Sequence, residues 1–302
     1  MFRVPLELIK ELRRSTGASV VDCRRALEAT RGDLDQAARL LRLQALTVAS
    51  QQAPMAGPNG VVAAHVLEDG SAGALVEVAF ESRRGARTER FRQFVVSLAG
   101  QAARQSAASL EALLESPFPG RSLRVVDELA DLVLRSGEKF GVRRFLRVVA
   151  RRPGVVAGYA HGPGPVGRIG ALVEVGGSES EPARRLAREV TLHVIFHRPP
   201  YLRREDVPEA RLTFEREVLR RRLELEGGRP QASEALAEEI LRNSFFRSSV
   251  LMDQPWVRDA RRTVGDLVRE ASEEAGAPLQ VRRFALLEVG GPVEEASLPE
   301  GS

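Results

Sequence analysis

Along the first 43 positions apolar residues recur at spacings of three and four, the period that lines one face of a helix. Leu6, Ile9 and Leu12 form such a stripe behind Pro5, and Ser15, Thr16 and Gly17 end it. A second stripe, Val20, Cys23, Ala26 and Leu27, follows Ser19, with Asp22 three residues on as a variant of a capping box. Arg31 and Gly32 make the break before Asp33, which caps a third helix with Gln36 at the reciprocal position and Leu34, Ala37, Leu40 and Leu41 as its stripe. The pattern predicts a three-helix module over residues 1–45, small enough to suit partner binding better than an enclosed active site. Periodicity then lapses: "TVASQQAPMAGPNG" (47–60) holds small residues and two prolines, so 46–59 reads as a linker.

Beyond it the pattern becomes that of strands, and it repeats. "GVVAAHV" (60–66) and "GALVEV" (73–78) return as "GVVAGYAH" (154–161), 94 residues on, and "GALVEV" (170–175), 97 residues on. Each copy reads as two apolar strands joined by a Gly-rich turn, then a loop, then an amphipathic helix, over 91–104 in the first copy and about 181–196 in the second. This is an internal duplication. Residues 106–136 look helical with a break at "ESPFPGRS". "FGVRRFLRVVA" (140–150) reads as a strand expected to pair with the hairpin after Pro153, and "LQVRRFALLEV" (279–289) echoes it. Two charged helices, 209–226 and 231–248, are joined by "EGGRP", where Gly227 and Gly228 end one and Pro230 starts the next, predicting an antiparallel helical hairpin. One more helix is expected at 263–274. The fold class is α+β: the three-helix head, core half 1 over 60–152, core half 2 over 153–292 including the hairpin 209–248, and a flexible tail at 293–302.

Composition narrows the function. With 302 residues and 43% hydrophobic content the chain can fill a sizeable core. The 43 arginines and 2 lysines oppose 41 acidic residues, a net charge of only +4, and are scattered among glutamates. With two tyrosines and one tryptophan as well, base-stacking platforms are scarce, and direct nucleic-acid binding is the lesser reading. No apolar run approaches the roughly 18 residues of a membrane span, and "MFRVPLELIKELRR" lacks a signal-peptide core, which points to a cytosolic protein without a membrane partner. The single cysteine, Cys23, forms no internal disulfide, and no Cys/His spacing offers a metal set.

Catalytic constellations are not legible. His193 and His197 are four apart on a helical pattern, but no HExxH glutamate lies between them, and packed or surface histidine is the better reading. "GPGPVG" (162–167) joins two strands and opens no helix, so it reads as a hairpin turn and not as a phosphate cradle. One stretch stands out: "VAFESRRGARTERF" (78–91), where an apolar strand gives way to ten residues carrying four arginines before the next helix.

"LIKELRRSTGASVVDCRRALEATRGDLDQAARLLR" resembles the N-terminal domain of translation elongation factor Ts, and the likeness continues through "HGPGPVGRIGALVEV", "ARRLAREVTLHVIFHRPPYLRREDVP", "LMDQPWVRD", "TVGDLV" and "VRRFALLEVGG". The resemblance implies a ubiquitin-associated-like head, a duplicated core and a coiled-coil hairpin. It also implies a guanine-nucleotide exchange factor for elongation factor Tu, acting without bond chemistry and without a cofactor. In that family a Thr-Asp-Phe-Val tip follows the first repeat's second strand; here Ser82, Arg83, Arg84 and Gly85 take its place, so the apolar plug is replaced by charge. Val20 and Val21 sit where the family has a hydrophobic docking pair; Val20 could equally be core, and Val21 has the clearer outward claim. Ile169 and Gly170, and His193, match family positions near the GTPase surface, although Thr191 and Leu192 depart from its Ala-Met. Two further readings stay open: a GTPase-binding or chaperone-like paralogue that holds its partner without promoting release, and arginine-mediated nucleic-acid binding. A homodimer also stays open.

Overall fold

Local capping accounts for where the first helices begin and end in the computed structural model, which describes residues 3–50, 59–82, 88–225 and 236–291. Helix α1 (Leu6–Thr16) stops at Gly17, whose φ of 76° places it in the left-handed region while its N–H returns to the carbonyl of Arg13. Helix α2 (Val20–Ala29) starts at Ser19, whose Oγ accepts from the Asp22 amide at 3.1 Å. Helix α3 (Leu34–Ser50) starts behind Asp33, which accepts from both the amide and the side chain of Gln36 at 2.9 Å. Ile9, Leu12, Cys23, Ala26, Leu27, Ala37 and Leu41 close over one another as the head's own core. Leu6 and Val20, expected on the inner stripes, are instead 60% and 38% exposed. First-turn positions lie at the rim of so small a core and are left uncovered.

Helix α3 continues through positions that read as linker. Its last two turns carry Ala45 and Ala49 into a larger cluster with Leu129, Leu132 and Val133. The small residues of 45–49 thus serve close helix packing.

The chain divides into two compact units. Among the described residues the first takes those up to 149, 158–172 and 287–291, and the second 150–157 and those from 173 to 286. In the first unit, strands β1 (Gly60–Val66), β2 (Ala72–Phe80), β3 (Phe140–Val149) and the short β5 (Val166–Gly167) form a sheet in the order β3-β2-β1-β5. All nine residues of β2 are buried, as a strand flanked on both edges and covered on both faces requires. Helices α4 (Glu89–Arg104), α5 (Leu110–Glu115) and α6 (Val125–Ser136) complete that unit's core with Phe91, Phe94, Leu98, Leu113 and Leu129. Strand β3 does not pair with the hairpin that follows Pro153. It runs antiparallel to β2, from Ala72↔Val149 to Phe80↔Phe140, with a bulge after Glu77. Strand β1 occupies one edge of β2, and β3 satisfies the backbone groups of the other.

The other sheet has the order β4-β6-β9, from β4 (Gly154–His161), β6 (Ile169–Gly176) and β9 (Gln280–Glu288). Every residue of β6 is buried, as in β2. In the second unit, α7 (Glu181–His197) packs with α10 (Val264–Ala275), which Thr263 and Asp266 open through a reciprocal capping box. The two-stranded ribbon β7 (Pro255–Trp256) and β8 (Asp259–Thr263) precedes α10. Helix α8 (Glu209–Leu225) and the helical segment α9 (236–249) carry the hairpin, and Leu212, Leu241, Phe246 and Val250 pack at its base. Residues 241–246 of α9 form a π-helical turn. The expected turn "EGGRP" lies outside the described residues.

Candidate functional site

Two groups of residues fix the base of the loop that follows β2. On the incoming side the Ser82 hydroxyl donates to Glu138 Oε1 at 2.6 Å, and the Glu81 amide to the Lys139 carbonyl at 3.1 Å. On the outgoing side Thr88 caps α4 by accepting from the Phe91 amide at 3.3 Å. Beneath them Phe80 meets Phe91 edge-on at 5.9 Å, and Phe91 lies 4.9 Å from Phe140. A strand end, a helix start and the next strand's first residue are thereby pinned to one aromatic cluster, so the loop has a firm base. Ser82 is exposed, while Arg83, Arg84 and Gly85 lie outside the described residues.

In the head, Val20 and Val21 are both exposed, Val21 at 55%. They open α2, where the Ser19 cap sets the chain direction, and together form an apolar pair free to meet a partner.

The remaining expected contact residues are buried. Ile169 is 5% exposed, and Gly170 packs so closely that an added Cβ would lie 2.8 Å from Val62 Cγ1 and 3.1 Å from Leu75 Cδ2. His193 is fully buried and cannot itself touch a partner in this conformation. Its Nε2 lies 3.0 Å from Gln254 Oε1, its Nδ1 accepts from the Val257 amide at 3.3 Å, and Gln254 passes its own amide on to the Ser248 carbonyl at 2.8 Å. These bonds define a neutral ring protonated at Nε2. Burial pushes its pKa down to about 4, the charge of His197 acts in the same direction, and the bond to Gln254 opposes. The two rings stack 4.3 Å apart, and burial lowers His197 as well. With one nitrogen committed to Val257 and the other to Gln254, His193 is no metal ligand, and no metal-binding group of His, Cys, Asp or Glu occurs among the described residues.

Sequence reasoning missed two buried carboxylates. Glu77, with no exposed surface, accepts from Arg143 Nη1 at 2.7 Å, Arg144 Nε at 2.8 Å and the Gly290 amide at 3.1 Å. Glu174, also without exposed surface, accepts from Arg283 Nε at 2.6 Å and the Arg151 amide at 2.8 Å, with Arg282 Nη1 at 3.4 Å. The signal was present: a single glutamate in each "GALVEV" strand and "VRRF" in both later strands.

Comparison with known proteins bears on what this arrangement serves. The Elongation factor TS family matches residues 85–291, more than half of the chain. The chain belongs to the elongation factor Ts family. Among its relatives, Elongation factor Ts of Symbiobacterium thermophilum is 35% identical over 301 residues, covering 98% of this chain and 95% of the relative. Elongation factor Ts of Syntrophotalea carbinolica is 33% identical over 300 residues, covering 98% and 96%. Elongation factor Ts of Clostridium botulinum (strain Eklund 17B) is 33% identical over 291 residues, covering 95% and 93%. Elongation factor Ts likeness thus spans the head, the loop after β2 and the hairpin together, and membership makes the chain a translation elongation factor. No described helix is long and apolar enough to cross a membrane.

Proposed function

We propose that the protein is the guanine-nucleotide exchange factor for elongation factor Tu, and that it releases GDP by favouring the nucleotide-free GTPase. The observation that carries this reading is the near-complete coverage by elongation factor Ts relatives, which takes in the head and the loop after β2 in one chain. By linkage, a protein that binds the empty GTPase more tightly than the loaded one weakens nucleotide by the same factor. No bond is made or broken, and no cofactor is needed. The setting is the cytoplasm.

In this reading the head, residues 1–45, is ubiquitin-associated-like and docks through Val20 and Val21. The halves 60–152 and 153–292 are two copies of one unit. In support, the strand order β3-β2-β1 of one sheet has its counterpart in β9-β6-β4 of the other, and each central strand carries one buried glutamate clasped by two successive arginines. Ser82, Arg83, Arg84 and Gly85 occupy the position of the exchange wedge and act by ionic contact, matched by carboxylates on the GTPase. Ile169, Gly170 and His193 shape the contact surface from beneath.

Titration calorimetry against elongation factor Tu tests the reading. Affinity for the nucleotide-free GTPase is expected to exceed that for the GDP-loaded form by roughly 5- to 150-fold, the range usual for coupled sites. Equal affinities would support the alternative, a paralogue that holds the GTPase without promoting exchange.

A further inference from the structure

Within the first unit, α3 and α6 line a cleft of about 470 Å³, inside the roughly 300–1,000 Å³ usual for small-molecule sites. Ala38 and Ala45 of α3, with Ala130 and Leu134 of α6, supply its apolar lining, and the three alanines leave the space open. The Gly17 turn rests on Arg135, another lining residue: a Cβ at Gly17 would lie 2.8 Å from Arg135 Cγ.

The polar lining is unevenly charged. Arg121 Nη1 pairs with Glu128 at 3.0 Å, Arg90 Nη2 with Glu128 at 3.3 Å and also with Asp131, and Arg135 Nε with Asp131 at 3.0 Å. This row begins and ends on a cation, so one positive charge is in excess. The Glu128 side chain is 4% exposed against 51% for Arg121 and 47% for Arg135, which leaves the guanidinium groups as the more accessible members. Arg42 of α3 adds a second excess charge to the lining. It is exposed and makes no hydrogen bond or ion pair among the described residues, and Asp127, whose carboxylate feels its field, is already held by Arg124 at 2.9 Å. Arg90 Nε is buried without an acceptor.

We propose that this cleft binds a small phosphorylated molecule, with its phosphate between Arg42 and the row Arg121, Arg90 and Arg135 and its organic body against the alanines and Leu134. A phosphate monoester carries about −1.5 to −2 at neutral pH, which matches the two excess cations, whereas a carboxylate offsets only one. The planar guanidinium fork also suits two phosphate oxygens at once. Bound in this way, the ligand ties the head's third helix to α6.

Isothermal titration calorimetry of the full-length protein at low salt and without magnesium tests the proposal, with AMP, adenosine and inorganic phosphate as probes. AMP is expected to bind one site per chain with a Kd of roughly 10 μM to 1 mM. Inorganic phosphate should compete with it, and adenosine should bind about tenfold more weakly or worse, having lost the charge-assisted bonds. Arg42→Ala should weaken AMP by about tenfold, with the melting curve of the free protein unchanged because Arg42 supports no contact within the chain. Arg24→Ala removes an equal charge from an exposed position on α2 outside the cleft and should bind as the wild type does. The proposal is overturned if AMP fails to bind up to several millimolar, or if adenosine binds as tightly. Unchanged affinity in Arg42→Ala overturns it as well, and so does an equal loss in Arg24→Ala, the mark of unspecific charge attraction.

Discussion

Glu77 and Arg144 meet at 2.8 Å inside the first sheet, with Arg143 closing on the other carboxylate oxygen at 2.7 Å, and Glu174 with Arg283 repeats the contact at 2.6 Å in the other. A buried carboxylate stripped of its cations, or cations stripped of their carboxylate, keeps the full desolvation cost without the attraction that offset it. Glu77→Gln or Glu174→Gln is therefore expected to lower stability by about 3–5 kcal/mol in urea titrations. Glu7→Gln, which breaks a surface pair with Lys10 whose side chains are 81% and 62% exposed, should change it by less than about 0.5 kcal/mol. Comparable losses from all three would remove the buried clasp from the account.

The neutral, buried His193 links stability to pH. Its folded pKa of about 4 lies below its unfolded value of 6.5, so in that window the unfolded chain binds more protons and stability falls as pH drops. The contribution is on the order of 3 kcal/mol across the full window. Relative to the wild type, His193→Leu should flatten the dependence of the urea midpoint between pH 6.5 and pH 4; His65 and His197, both also lowered by burial, leave a residual slope. An unchanged slope in that variant would mean that His193 does not titrate as its surroundings require.

Gly170 leaves no room for a side chain against Val62 and Leu75. Gly170→Ala should cost about 1–3 kcal/mol through overpacking, and Gly170→Val more. Thermal melts of the two variants give the order directly; an alanine that melts at the wild-type temperature would show that the β-branched Val62 can give way.

Val21 is an exposed apolar side chain on the first turn of α2. Val21→Asp should leave stability within about 0.5 kcal/mol, yet weaken association with elongation factor Tu by about tenfold or more if the pair is a docking anchor. Unchanged binding would move the docking surface elsewhere on the head.

The head was legible almost residue by residue, because caps and breaks are local: Ser19, Asp33 and Gly17 all act where the pattern put them. The two buried central strands, β2 and β6, were legible because strands covered on both faces need continuous apolar runs. What local pattern did not carry was pairing across long separations. Strand β3 looked forward in sequence to the hairpin after Pro153, whereas it satisfies the open edge of β2, some 70 residues back in sequence. Burial of His193 was equally hidden, since Gln254 and Val257 that hold it come some 60 residues later. The glutamates of "GALVEV" were visible but unexplained until the arginines of "VRRF" could be placed on them.

Release of fluorescent GDP from elongation factor Tu, followed by stopped flow with and without the full-length protein, tests the central claim most directly. The account predicts that release accelerates in proportion to added protein, that the acceleration weakens as salt rises, as the proposed ionic contacts of the tip require, and that Arg84→Phe slows it. Tight binding with no acceleration at any salt concentration would contradict the account and leave a protein that holds the GTPase without emptying it.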